Sequence, residues 1–313
     1  MKKLLVLTFI AALIVSAQGY SNTYVISGPC TTASNFIVDD TSLTVVAGGD
    51  LDVTGGILNN NPAVGPTLVD IQGGTTDTTN KLRLQGTDDN GPALFNMSGG
   101  ILNVPHAVQL GGFSTPVGGV SVSATMSGGT FTQTDETKAF MIGFIGKAEM
   151  LMTGGTINAD APVYLGKHNW NGQGGVLQLD GGVINAKSGL YAGQIGIDAG
   201  TDMDITGGTV VIPGDFRANI IDNVLGTGYT DPGGVFYAPG DPNLEGNEAW
   251  LSGYGVHAVE DITGGLTPTI AAGVLVELKP VGGELATVVT AIPEPATIAL
   301  LGLGGLALVR RKR

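Results

Sequence analysis

The sequence holds a single cysteine, Cys30, so no disulfide can close within the chain. Lone cysteines of this kind are small buried apolar residues more often than reactive thiols. Charge is scarce as well: Asp, Glu, Lys and Arg together make up 13% of residues, and aromatics 6%. Cations are the scarcest charge, with 14 Lys and Arg against 27 Asp and Glu and a net charge of −13. A surface so short of cations repels phosphate backbones, which excludes nucleic acid as a partner. The three histidines, His106, His168 and His257, lack ligand spacing, which excludes a zinc centre. There is no Gly-x-Ser-x-Gly, no phosphate loop and no Cys–His pairing, which removes the commonest hydrolase and nucleotide-binding readings.

Glycine and apolar residues are what the chain has in plenty: 52 glycines, and 42% hydrophobic residues. High hydrophobicity with low charge argues for a packed core rather than disorder. Glycine without a collagen period argues for many turns.

A Gly-Gly pair recurs in one frame, beginning at Gly55, Gly99, Gly128, Gly154, Gly181 and Gly207, at intervals of 44, 29, 26, 27 and 26 residues. Four residues before each pair stand Leu51, Phe95, Ala124, Met150, Leu177 and Met203. Two before stand Val53, Met97, Met126, Met152, Leu179 and Ile205. The residues between are mostly polar, so the period is two, that of a half-buried strand. Three positions after the first glycine, Leu58, Leu102, Phe131, Ile157, Ile184 and Val210 are again apolar. A further strand follows at Val108-Gln109-Leu110, Phe140-Met141-Ile142, Val163-Tyr164-Leu165 and Leu190-Tyr191-Ala192.

Strands that repeat in one frame pair most naturally with their own copies one coil on. The fold class expected is therefore all-β, a right-handed parallel β-helix. Asn59, Asn103, Asn158 and Asn185 share one offset, with Thr132 and Val211 in the remaining coils. Stacked amides can hydrogen-bond along such a column. The column resembles the asparagine ladder of pectate-lyase-type β-helices, and the repeats resemble those of autotransporter passenger domains. The frame fails after Asp215. The repeat body is set at residues 18–215, with an N-terminal cap at about 22–46, and a β-rich cap region at 216–291.

Both ends read as addresses. Met1-Lys2-Lys3, an apolar run over residues 4–15 and Val15-Ser16-Ala17 form a secretory signal peptide, residues 1–17, with a mature start near Gln18. The other end runs Pro293-Glu294-Pro295, then an apolar segment, residues 296–309, then Arg310, Arg311, Lys312 and Arg313. Those 14 apolar residues fall short of the about 18–20 that span hydrocarbon as a helix. This tail, residues 292–313, resembles the PEP-CTERM sorting signal of exported bacterial surface proteins. The resemblance implies a short C-terminal hydrophobic helix, transient membrane anchoring and an exosortase-type sorting protease as partner. Loss of both ends takes the cations from 14 to 8 and the acids from 27 to 26, leaving a body near −18.

Chemistry is sparse. Asp52, Asp180 and Asp204 share no column across neighbouring coils, and Asp180 and Asp204 are set one position apart, facing opposite sides. No catalytic site and no resident cofactor is expected. A loop holding Asp198, Asp202 and Asp204 is the one place for Ca²⁺. Thr130, Thr156 and Thr209 share a column that Ile57, Ile101 and Val183 interrupt, too broken for an ice-binding array. Trp170, with His168 in the polar loop at residues 167–171, is the best sugar-stacking candidate, and Trp250, Tyr254 and Tyr229 offer similar surfaces. The function expected is an exported, non-enzymatic surface or extracellular-matrix protein, with weak glycan or self contacts. The alternative is a β-helix polysaccharide lyase or hydrolase.

Overall fold

The computed structural model describes residues 20–60, 65–86, 91–111, 120–166, 174–192 and 202–216, short strands at 236–237, 257–258 and 269–271, and residues 274–291. The segment expected as a signal peptide, residues 1–17, and the tail, residues 292–313, lie outside the described residues. No helix among the described residues is long and apolar enough to cross a membrane.

Three strand columns build the body, an all-β parallel solenoid. The first column holds β1 (Asn22–Ile26), β4 (Thr41–Val45), β7 (Thr67–Ile71), β10 (Ala93–Met97) and β13 (Val120–Met126). It continues in the leading halves of three long strands, β16 (Lys147–Ala159), β18 (Gly175–Ala186) and β20 (Asp202–Pro213). The second column holds β2 (Pro29–Thr32), β5 (Asp50–Val53), β8 (Thr75–Thr78), β11 (Ile101–Val104) and β14 (Thr130–Gln133), then the trailing halves of the same long strands. The third is a 7-stranded sheet: β3 (Phe36–Ile37), β6 (Ile57–Leu58), β9 (Leu82–Leu84), β12 (Val108–Leu110), β15 (Phe140–Ile142), β17 (Val163–Leu165) and β19 (Leu190–Ala192). Every pairing within the columns is parallel, as a chain that meets its own copy one coil later requires.

Alternation fills the interior. Leu43, Val69, Phe95, Ala124, Met150, Leu177 and Met203 form one continuous inward stack. Val45, Ile71, Met97, Met126, Met152, Leu179 and Ile205 form the next, and all of these residues are buried. Phe95, Phe131 and Phe140 meet across the coil at centroid distances of 5.9 and 5.1 Å. From β12 to β17 the third sheet is buried on both sides, while Arg83 in β9 is half-buried and Ile37 in β3 exposed. Tyr164 and Tyr191 stack on its outer face at 5.4 Å, and Phe216 meets Tyr191 edge-on at 6.4 Å. β15, β17 and β19 accordingly read as unbroken apolar triplets, whereas β9 and β12 carry Arg83 and Gln109 at their centres.

The repeat frame differs from the sequence reading at its start. Ile26, Val45, Ile71, Met97 and Met126 are successive partners, 19, 26, 26 and 29 residues apart. The bend of the Gly99 frame is made in earlier coils by Gly73-Gly74 and by Gly48-Gly49. Gly55-Gly56 makes a different bend, between β5 and β6, where the Gly56 N–H donates to Asn35 Oδ1 at 2.8 Å. The 44-residue interval therefore joined two different corners of the coil and passed over Gly73-Gly74. Leu51 consequently belongs with Leu102 in the second column, not with Phe95 in the first. Residues 22–46, expected as a cap, carry strands in register with the coils that follow. At the other end, β23 (Thr269–Ala271), β24 (Val274–Val281) and β25 (Glu284–Ala291) are antiparallel, and β25 lies along the trailing half of β20. A separate parallel pair joins β21 (Phe236–Tyr237) to β22 (His257–Ala258).

Candidate functional site

The outward face of the second column is largely polar. Two rows of side chains stand on it. One runs Asp50, Thr75, Ile101, Thr130, Thr156, Val183 and Thr209. Ile57, expected to interrupt this row, lies in the third sheet instead, and Thr75 takes the place in the frame. The second row runs Asp52, Asp77, Asn103, Thr132, Asn158, Asn185 and Val211.

The asparagine ladder is real but shorter than the sequence suggested. Asn185 Nδ2 donates to Asn158 Oδ1 at 2.8 Å. Asn103 Nδ2 donates to Asp77 Oδ1 at 2.7 Å, so a carboxylate sits where an amide was expected. Asn59 is not in the row. It is buried beside the third sheet, where its Nδ2 donates to Thr67 Oγ1 at 2.6 Å and to the Gln85 carbonyl at 3.0 Å. A misplaced first repeat concealed the acidic end of the row.

That acidic end brings together Asp50, Asp52 and Asp77, each offering a carboxylate oxygen within 4.8 Å of the others. Asp52 and Asp77 come from successive coils, a juxtaposition that sequence reasoning missed. Three such oxygens can bind a divalent cation weakly. Ca²⁺ takes 6–8 oxygen ligands, so water would supply the rest. Asp50 and Asp52 are exposed and Asp77 half-buried.

Other acidic groups serve local structure. The Asp135 carboxylate accepts from Thr137 Oγ1 at 2.6 Å and from the Thr137 N–H at 2.9 Å, and these bonds hold it below the usual carboxylate range. Asp39 Oδ1 accepts the Asn60 N–H at 2.7 Å, and Asp40 accepts from Ser21 Oγ. Asp40 has φ of 46°, a conformation that aspartate tolerates better than most residues. Lys187 pairs with Asp160 at 2.6 Å and Lys147 with Glu149 at 2.6 Å. Gln178 Nε2 donates to the Asp180 carboxylate at 3.2 Å. Asp204 stands opposite Gln178 in the ladder, so it is two places from the Asp180 position and not one. His106 is half-buried in the bend between β11 and β12. Burial and the charge of Lys138 lower its pKa from the ordinary 6.5, against the pull of Asp135.

Trp170, His168, Trp250, Tyr254, Tyr229 and Asp198 lie outside the described residues. The segment that carries His168 and Trp170 leaves the third sheet directly after β17 and returns at β18. Pro293, Glu294, Pro295 and the terminal cations also lie outside them, and sequence comparison decides what they are. Residues 291–313 match the family model of the PEP-CTERM protein-sorting motif. The chain carries a PEP-CTERM sorting signal. The PEP-CTERM tail marks the chain as exported and directed to the cell envelope, and exosortase is the kind of enzyme that recognises such a signal. No curated protein and no solved structure matches the chain.

Proposed function

We propose that this chain is a non-enzymatic rod of the bacterial surface or extracellular matrix. It is exported by its N-terminal signal peptide, held transiently in the membrane by its apolar tail and then processed at that tail. The sorting motif on a regular parallel solenoid is the observation that carries this reading. A solenoid presents the same polar rows coil after coil, which suits weak, repeated contacts with exopolysaccharide. The loop with Trp170 and His168, and Trp250 beyond the repeats, are the aromatic surfaces for sugar stacking.

Fractionation of cells that express the chain with and without residues 292–313 tests the sorting half. Loss of the tail is expected to move the protein out of the envelope fraction, and unchanged localisation would refute it. A glycan array comparing the native protein with Trp170→Ala tests the sugar half. A weaker signal is expected from the variant, and equal signals would remove that loop.

The neighbouring carboxylates of Asp52 and Asp77 favour a second reading, a β-helix polysaccharide lyase or hydrolase. Paired carboxylates about 5–10 Å apart flank the scissile bond in many glycosidases, and the Asp52 and Asp77 oxygens, within 4.8 Å, stand slightly closer than that. Polysaccharide cleavage that disappears in Asp52→Asn/Asp77→Asn would establish it, and no cleavage by the native chain favours the rod.

A further inference from the structure

The two ends of the solenoid are built differently. At the C-terminal end, β25 runs antiparallel along the trailing half of β20, where a further coil would have to sit. That blocks coaxial continuation of the rod. At the N-terminal end, β1, β2 and β3 are the last strands of their ladders among the described residues.

The free edge can be read residue by residue. The Asn22 N–H donates to the Asp40 carbonyl at 3.2 Å, and the Ile26 carbonyl accepts the Val46 N–H at 3.0 Å. In a parallel ladder, alternate residues bond to opposite sides. Asn22, Tyr24 and Ile26 therefore face β4, while Thr23 and Val25 direct their N–H and C=O groups to the open edge. In β2 the Gly28 and Thr32 carbonyls accept from Asp50 and Thr54 at 3.2 Å each, so Pro29 and Thr31 face outward. Proline has no N–H, and at such a position it blunts β2 against strand addition. β1 has no such device.

Charge is the other usual defence of an edge, and it is missing. From Gln18 to Val38 the chain carries no charged residue, in a molecule of net charge −13. Val25 and Ile37, 49% and 41% exposed, are two of the exposed large hydrophobics of the described residues. Tyr24 and Phe36 meet edge-on at 5.3 Å, and with Cys30 they close the end of the core while only partly buried. Natural edges are kept apart by lysine, by inward charge or by cover. Here the first coil itself puts no charge against a second copy; the nearest exposed carboxylates, Asp50 and Asp52, stand one strand behind the edge.

We propose that the N-terminal edge is a homodimer interface, with β1 of two copies paired antiparallel across a two-fold axis. A two-fold contact uses the same surface on both copies and closes, so the assembly stops at a double-length rod with β25 of each copy at its far ends. Centred on Tyr24, the pairing sets Thr23 of each copy against Val25 of the other, each pair exchanging both backbone bonds. The inference rests on the export reading in one respect: cleavage after Ala17 leaves only Gln18 to Ser21 ahead of β1, too short a segment to cover the edge.

The test uses the full chain as exported and released by its producing cells, with light scattering for mass and mass spectrometry for the N-terminus. The native protein is expected at twice the chain mass. Thr23→Lys and Val25→Pro each place a known edge-blunting residue at an open position without breaking a bond to β4. Each is expected to give a monomer with unchanged circular dichroism. Leu285→Lys, on the hairpin at the opposite end, is expected to remain a dimer. Hydrogen exchange supplies a second readout: the Thr23 and Val25 amides are expected to be protected in the native protein and open in a dilute monomer. A native monomer overturns the proposal, as does a dimer that survives both β1 variants with those amides unprotected. The N-terminal mass decides the export reading separately, because a retained leader refutes that reading whatever the mass.

Discussion

From Gly73-Gly74 onward, the two adjacent glycines at each main bend do different jobs. The first must lie flat against the coil beneath: a Cβ on Gly154 would stand 2.5 Å from the Ser127 carbonyl oxygen. The second turns the chain. Gly155 has φ of +84°, and a Cβ there would meet Met126 Cε at 2.7 Å and the Gly128 backbone at 2.8 Å. The left-handed backbone alone costs an L-residue about 1–2 kcal/mol, and the backbone beneath cannot yield as a side chain end can. Gly155→Ala is therefore expected to lower the urea midpoint by an amount equivalent to at least about 2 kcal/mol. A midpoint within error of the native value would mean that the bend is not built as described. His106 supplies a second residue-scale expectation. Its pKa is lowered on folding, so below the ordinary 6.5 the unfolded chain takes up the proton first. The contribution of neutral His106 is complete above that pH and is lost as pH falls through the folded pKa. Unfolding midpoints followed between about pH 8 and 5 should decline on the acid side. His106→Gln should flatten the decline, and equal slopes would assign it to other groups.

Elements were legible wherever period and frame agreed. The four triplets beginning at Val108, Phe140, Val163 and Leu190 stand in one ladder, as their shared spacing implied. The first repeats were misread for a physical reason. Gly73-Gly74 is followed by Thr75-Thr76-Asp77-Thr78, with no apolar residue at the third place, while Gly55-Gly56, between Val53 and Leu58, matches the frame at a different corner of the coil. Only long-range pairing separates Leu51 against Thr76 from Leu43 against Val69. The error carried Asn59 into the ladder and kept Asp77 out of it. The C-terminal hairpin was legible as one strand, at Val274 to Leu278. Its antiparallel seat on β20 was not, because a capping contact has no repeat to announce it. Thr287 fixes that seat. Its Oγ1 donates to the Gly214 carbonyl at 2.9 Å and accepts the Phe216 N–H at 2.7 Å, with the side chain fully buried. Thr287→Val keeps the shape and strands both partners, a change that costs about 1–3 kcal/mol at a buried site. Hydrogen exchange over residues 284–291 is expected to speed up in the variant while the β7–β10 amides stay as slow as before. Uniform acceleration through the whole rod would mean that the hairpin and the coils unfold as one unit.

At the scale of the molecule, each coil touches chiefly its two neighbours, so stability accumulates as coil terms plus interface terms. Such a rod should tolerate removal of one whole period. Met152 and Leu179 are partners in the ladder, as are Val163 and Leu190 in the third sheet. Deleting residues 153–179 joins Met152 to Asp180 and leaves β15 facing β19 in the register that β17 now mediates, Phe140 with Leu190 and Ile142 with Ala192. The Asn158–Asn185 amide bond and the Tyr164–Tyr191 stack are lost, but the aromatic group of Phe95, Phe131 and Phe140 is kept. The shortened chain is expected to fold, to keep its β-sheet circular dichroism and its envelope sorting, and to unfold at lower denaturant. Collapse of the fold would show that the coils are not independent units, against the one-dimensional picture. The same deletion removes the segment holding His168 and Trp170. A folded, correctly sorted rod that no longer binds polysaccharide would place sugar binding in that one loop. A folded rod that binds as well as the native chain would move it to the repeated polar rows or to Trp250, which the deletion leaves in place.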